Sequence, residues 1–278
     1  GGFGVEGQMS DFLVHHDMAI RLSAFALMLA AITAWEFAAP RRRLSVPLTG
    51  RWIANIGLVI LGALIIRLAV PLAAVGVATA TAARGFGLFN VVDLPAWLAF
   101  VAALILLDLA IWAQHVAMHK VPLLWRLHRV HHSDVDFDST TGVRFHPVEI
   151  VLSMAYKMAV VAAIGAPPAA VIVFEILLSS GALFNHGNVR LPLAADRVLR
   201  RLIVTPDMHR VHHSVRREET DSNYGFNLSL WDRLFRTYRD QPADGHEGMA
   251  IGLEAFRSAR DRHLGRLLVQ PLAAAQRR

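Results

Sequence analysis

The chain has 278 residues, 54% apolar and 18% charged, with a mean hydropathy of +0.41, whereas an ordinary soluble domain is about 45 to 50% apolar and about 25% charged; the shift points to a membrane. Lys and Arg number 28 against 22 Asp and Glu, a formal +6, and because the basic residues flank apolar stretches the positive-inside rule accounts for them better than nucleic acid does. The absence of cysteine excludes a disulfide framework, a thiolate zinc site, a Cys-ligated iron–sulfur cluster and a Cys nucleophile.

Residues 1–17 read as an N-terminal tail, its Gly-rich start a tag-like remnant rather than a signal peptide, and residues 18–278 as a single membrane-embedded domain. The stretch from Met18 to Phe37 is apolar apart from Arg21 and Glu36 and suits a spanning helix. Arg41, Arg42 and Arg43 follow it. A second helix is expected from Trp52 to near Pro71, with a loop or re-entrant piece after it, and a third span from Leu94 to Gln114 carries one charge, Asp108. Residues 115–147 are polar and rich in His. Two shorter apolar arms, Val148 to Ile164 and Pro168 to Phe184, flank Gly165-Ala166-Pro167 and predict a hairpin in residues 148–184. Lys157 and Glu175 lie nine residues before and after Ala166 and are expected to pair, because an unpaired charge in hydrocarbon is costly. Residues 185–278 predict a helical cap ending in an amphipathic helix. The expected fold is therefore all-α and integral to the membrane, with four to five membrane helices and a cytoplasmic cap. Placing the Arg41–Arg43 loop inside puts the N-terminus outside and every histidine from 115 to 213 on the cytoplasmic face.

Histidine is the anomaly in the composition: there are 14, ten of them between His115 and His213. His115 and His119 are spaced i, i+4 and project from one helical face. His128, His131 and His132 form H-x-x-H-H, and so do His209, His212 and His213; one such motif would arise by chance about 0.03 times in a chain of this composition. His146 and His186 lie between the boxes, while His15, His16, His246 and His263 read as interfacial or hydrogen-bonded side chains rather than ligands. So many imidazoles exceed the needs of one ion and imply two, from the metals that accept nitrogen donors: iron, zinc, copper or nickel. Carboxylates are then expected behind the rings, orienting them through the second nitrogen. Asp108 is the leading candidate, being a charge inside an apolar span on the face of His115; Asp207, Asn188 and Asp232 are further candidates, as are Asp134 and Glu149.

The order of three His boxes, an isolated His and interleaved membrane spans resembles the fatty acid hydroxylase and sterol desaturase superfamily of integral membrane di-iron oxygenases. The likeness covers about residues 94–240, extending through Arg144-Phe145-His146-Pro147, Asn185-His186-Gly187-Asn188, Asn223-Tyr224-Gly225 and Leu230-Trp231-Asp232. The stretch from His209 to Trp231 looks closer to bacterial sterol-desaturase-like members and to alkylglycerol monooxygenases. The resemblance implies two iron ions, with zinc as a substitute in purified protein, and O2 as co-substrate. It also implies a lipid substrate from the bilayer and an external electron donor such as a ferredoxin or a cytochrome b5-like protein with its reductase. Where some members carry a second His four residues after the isolated one, this chain has Arg190, so the implied ligands are His115, His119, His128, His131, His132, His186, His209, His212 and His213, with His146 as a tenth. The location it implies is a bacterial cytoplasmic membrane.

Three other functions compete. A metal transporter would place its ligands along a path near the bilayer midplane, a bis-His haem carrier has no use for H-x-x-H-H, and a dizinc lipid hydrolase would ordinarily add a carboxylate ligand. The expected substrate route is a slot between the third span and the hairpin, lined by Leu104, Leu107, Ile111, Met154 and Leu183.

Overall fold

In the computed structural model, which describes residues 12–70 and 72–274, helices α1 (Asp17–Ala38), α2 (Leu48–Ala69) and α3 (Ala73–Ala83) are followed by α4 (Ala96–Lys120) and α5 (Pro122–His132). The hairpin arms are α6 (Pro147–Ile164) and α7 (Pro168–Asn185), and the cap contains α8 (Leu193–Leu199), α9 (Pro206–His212) and α10 (Leu264–Val269) joined by single helical turns and loops. Among the described residues there is no strand, only three isolated bridges. Five stretches are long and apolar enough to cross a membrane: α1, the run containing α2 and α3, α4, α6 and α7. The expected end of the second helix is met at Ala69, Pro71 itself lying outside the described residues, as does the tail over residues 1–11.

The helices pack where their side chains are small. Ala74, Ala78, Ala103, Ala166 and Ala170 are fully buried together with Leu107, Val171, Ile172 and Phe174 in the principal core, and small residues let backbones approach in a solvent that gives helices no hydrophobic incentive to associate. Leu22, Leu27, Ile60 and Leu64 point outward, as lipid-facing residues should. The segment after α2, expected as a loop, forms α3 and packs against both hairpin arms, since Ala74, Val75 and Ala78 find a buried face there. The hairpin turns at Gly165 with φ 64. A β-carbon there would lie 2.6 Å from Asn90 Nδ2, so only glycine supplies both the left-handed conformation and the clearance. Lys157 and Glu175 form the expected ion pair, and Arg21 adds a second cation 2.9 Å from the other Glu175 oxygen.

At the cap end, Arg51 of α2 donates to Asp134 at 2.7 and 2.9 Å and to Asp138 at 2.6 Å, while Arg144 donates to the Val130 carbonyl and to Asn55. This buried network fixes the loop between α5 and α6 against the membrane helices. The last helix, where an amphipathic helix is expected, is six residues long and packs Leu264 and Leu267 against Ala54 and Leu58 of α2. Leu104, Leu107, Ile111 and Met154 belong to the packed core. Two cavities lie elsewhere: one of about 890 Å³ over α5, lined by Trp125, Arg126 and Arg217 among others, and one of about 400 Å³ between the facing ends of α1 and α2.

Candidate metal centre

Each box owes its place to a short local device. α4 continues unbroken through His115 and His119 to Lys120. Val121 is extended and Pro122 opens α5 at its first position, a residue whose missing N–H costs nothing there, so the chain reverses and brings His128, His131 and His132 back over the end of α4. Thr205 caps α9 by accepting from Met208 N at 3.3 Å, and Pro206 follows at the first helical position; this presents His209, His212 and His213. His186 is the C-cap of α7.

These devices gather nine imidazoles into two groups: His115, His119, His128, His132 and His212 in one, and His131, His186, His209 and His213 in the other, with one ligand atom per residue within 4.8 Å of the rest of its group. The division follows helical periodicity. In α5 the i, i+4 pair His128 and His132 serves the five-His group and His131 the four-His group. Around α9 the assignment is reversed, because His209 and His213 serve the four-His group and His212 the other. Each H-x-x-H-H box therefore bridges both groups.

The protons show what the groups are built to hold. His115 Nδ1 lies 2.7 Å from the Tyr224 carbonyl and His212 Nδ1 2.7 Å from the Ser222 carbonyl; a carbonyl only accepts, so these nitrogens carry the proton. His128 Nδ1 likewise lies 2.6 Å from Glu149 Oε1. The Nε2 atoms of all three are then bare lone pairs, yet His115 Nε2 stands 3.1 Å from both His128 Nε2 and His212 Nε2. In the second group His186 Nδ1 donates to the Ala182 carbonyl at 2.8 Å, and its bare Nε2 faces Nε2 of His131, His209 and His213 at 3.2, 3.2 and 3.1 Å. Bare lone pairs converging at such distances, as those of His115, His128 and His212 do, repel unless a cation lies between them. Ligands about 2.0 to 2.1 Å from a metal stand about 2.9 to 3.4 Å apart in octahedral or tetrahedral geometry, so the donor sets fit two metal ions.

All nine rings are 0 to 3% exposed. Burial, and after it the neighbouring rings, hold His131, His132, His209 and His213 well below the ordinary imidazole value. His186 and His212 fall to about 3, chiefly through burial. At neutral pH these six are uncharged, the form in which imidazole binds metal.

The tenth histidine lies outside both groups. His146 caps α6, Nδ1 accepting from Val148 N at 3.2 Å while Nε2 lies 3.1 Å from the Leu268 carbonyl, so both nitrogens are engaged. The expected carboxylates are also redistributed. Asp108 binds none of the clustered imidazoles; it accepts from Asn227 Nδ2, Leu228 N and Trp231 Nε1 at 3.0, 3.2 and 2.8 Å. Asp232 accepts from Trp112 Nε1 and from the backbone of Tyr224 and Gly225, and so holds the loop whose Tyr224 carbonyl anchors His115. Asp207 pairs with Arg41 and Arg210, Asn188 holds the backbone of Arg42, and Asp134 binds Arg51. Of the expected acids, Glu149 is the one that hydrogen-bonds a clustered imidazole among the described residues. Asp221, which composition did not single out, places Oδ1 3.7 Å from His119 Nδ1. The backbone acceptors at Ser222 and Tyr224 and the ring of Phe145, stacked on His131 at 4.5 Å, were likewise not anticipated, although the motifs Arg144-Phe145-His146-Pro147 and Asn223-Tyr224-Gly225 run through two of them.

Residues 100–237, which include all nine clustered histidines, match the fatty acid hydroxylase family. Curated relatives include the ornithine lipid hydroxylase OlsE of Rhizobium tropici, 28% identical over 54% of this chain and 45% of its own length. The alkylglycerol monooxygenase of Homo sapiens is 29% identical over 62% of this chain and 38% of its own, and a cholesterol 25-hydroxylase-like protein of Danio rerio is 30% identical over 49% and 53%. The chain thus spans roughly half or less of each of these relatives. No solved structure matches it.

Proposed function

The chain is an integral membrane protein of the fatty acid hydroxylase superfamily, and from that premise we propose that it is a lipid oxygenase holding one iron in each histidine group. Irons bound there would supply the redox chemistry by which O2 is reduced and an unactivated C–H bond of a lipid is broken. The observation that carries this reading is the convergence of Nε2 atoms, bare in the anchored His115, His128, His186 and His212, in two adjacent, water-excluded groups. An all-nitrogen donor set suits iron and also accepts zinc, which is expected in protein prepared without iron supplementation.

The protein's part is to fix the rings and to keep water away. The Tyr224, Ser222 and Ala182 carbonyls and Glu149 hold Nδ1 protons, so every anchored ring turns Nε2 inward without rearrangement. The groups stand where α4 and α7 leave the apolar region, so a bilayer lipid needs to rise only a short way to present a carbon. Hydroxylation is favoured over desaturation because these relatives are named for oxygen insertion. The reductant would be a separate ferredoxin or cytochrome b5-like protein with its reductase, and the basic loop at Arg41–Arg43 favours a cytoplasmic metal face. A transporter would string its ligands along a path, whereas here both groups form one cluster at one end of the helices.

The test is lipid profiling of cells grown with iron, with and without the gene and with His186→Ala. The expected result is a lipid class that gains one oxygen atom, or loses two hydrogens, only with the wild-type gene and only under O2. Identical lipid profiles in all three, with iron-loaded protein present in the membrane, would overturn it.

A further inference from the structure

The cap does not stand wholly above the membrane helices. Asp108 and Trp112 belong to the apolar part of α4, Asp108 lying seven residues or about 10 Å below His115 along the helix axis. Yet Asp108 binds Asn227, Leu228 and Trp231, and Trp112 stacks on Phe235 at 4.5 Å and donates to Asp232. The segment 227–235 therefore descends beside α4, below the level of the histidines. It draws a second segment with it: Val204 N donates to the Asn227 carbonyl, Ser229 N to the Leu202 carbonyl, and Arg233 to the Arg200 carbonyl.

On the outer side of these two segments the apolar residues are exposed. Leu199, Leu202, Ile203, Leu230, Leu234 and Phe235 are all exposed on two segments that hydrogen bonds hold side by side, a concentration unlike singly scattered surface hydrophobes. Its charge is one-sided. Every exposed charged residue in 190–203 and 228–236 is an arginine, namely Arg190, Arg197, Arg201, Arg233 and Arg236, because the two acids there, Asp196 and Asp232, are buried. Apolar side chains at the depth of a spanning helix, fringed only by guanidinium groups, are the composition of a surface lying in the headgroup and acyl boundary of an anionic leaflet.

We propose that residues 193–203 and 228–236 form a membrane-inserted wedge on the metal side, seated among anionic lipids. The wedge would tie the Tyr224 loop, and through it the anchor of His115, to the bilayer surface. This proposal does not depend on which metal is bound.

The chain lacks cysteine, so single cysteines report cleanly. Leu202→Cys, Leu234→Cys and, as a cap control, Glu254→Cys would each be labelled with an environment-sensitive fluorophore and reconstituted in phosphatidylcholine vesicles with and without phosphatidylglycerol, carrying bromines high on the acyl chains. The expected result is blue-shifted, bromine-quenched emission at 202 and 234 but not at 254. Arg197→Gln with Arg201→Gln and Arg236→Gln should reduce the quenching at 234 in the phosphatidylglycerol vesicles while helicity is unchanged. Emission at 202 and 234 indistinguishable from that at 254 would overturn the wedge. Equal quenching of the parent with and without phosphatidylglycerol would overturn its anionic preference. Shielding that persists in detergent, with 234-to-234 crosslinks, would show the patch to be a contact between copies of the chain instead.

Discussion

The two histidine groups are built from the same sequence motifs and held by different forces. In the five-His group the outer nitrogens of His115, His128 and His212 donate to Tyr224, Glu149 and Ser222, and Asp221 approaches His119. In the four-His group only His186 has such an anchor; the Nδ1 atoms of His131, His209 and His213 are buried without a hydrogen-bond partner among the described residues, and their rings are held by stacking. His131 lies on Phe145 at 8° and His213 on His132 at 18°. An imidazole that donates to an anion becomes a stronger ligand, whereas stacking fixes orientation with little effect on basicity. The first group should therefore bind its ion more tightly, leaving the second as the more labile and less saturated site.

The largest expected effect follows from His186, whose Nε2 faces three others. His186→Ala should lower metal content from about two ions per chain to about one, since three unanchored rings no longer close a site; plasma mass spectrometry of the purified protein measures it. Next, Glu149→Gln keeps the shape but removes the anion behind His128, and should weaken the tighter site about 10- to 100-fold. Competition with a calibrated chelator would show this as one retained and one weakened site, and loss of both would contradict the division. Phe145→Ala removes one stacked face from His131; an aromatic contact is worth about 0.5 to 1.5 kcal/mol, so the labile site should weaken a few-fold in the same titration while the tighter one is unmoved. The smallest effect is His146→Ala, which removes a helix cap outside both groups. It should cost about 1 kcal/mol of stability, seen as a lowered melting temperature, with metal content intact.

The nine clustered histidines were legible because imidazole is rare and the H-x-x-H-H spacing repeats, and the Lys157–Glu175 pair was legible because equal distances from a turn imply equal depth. The crosswise sharing of each box was not, because it depends on the angle at which α5 and α9 meet. The anchors were harder still. A backbone carbonyl has no side-chain signature, so Ser222 and Ala182 carry no mark in the sequence. Asp108 shows the related limit: a carboxylate within an apolar span announces a buried partner, but that partner proved to be the 227–231 segment rather than a metal-binding ring. His146 had the right residue type and neighbourhood, yet Pro147 after it makes it a cap. The helix over 73–83 escaped notice because its alanines and threonines form no amphipathic stripe of their own, and packing against the hairpin decides their structure.

X-ray absorption on wild-type protein loaded with iron, with metal content measured on the same sample, tests the central claim most directly. Two converging imidazole sets predict about two irons per chain in a first shell dominated by histidine nitrogen. About one iron per chain, or a shell rich in carboxylate oxygen, would contradict it.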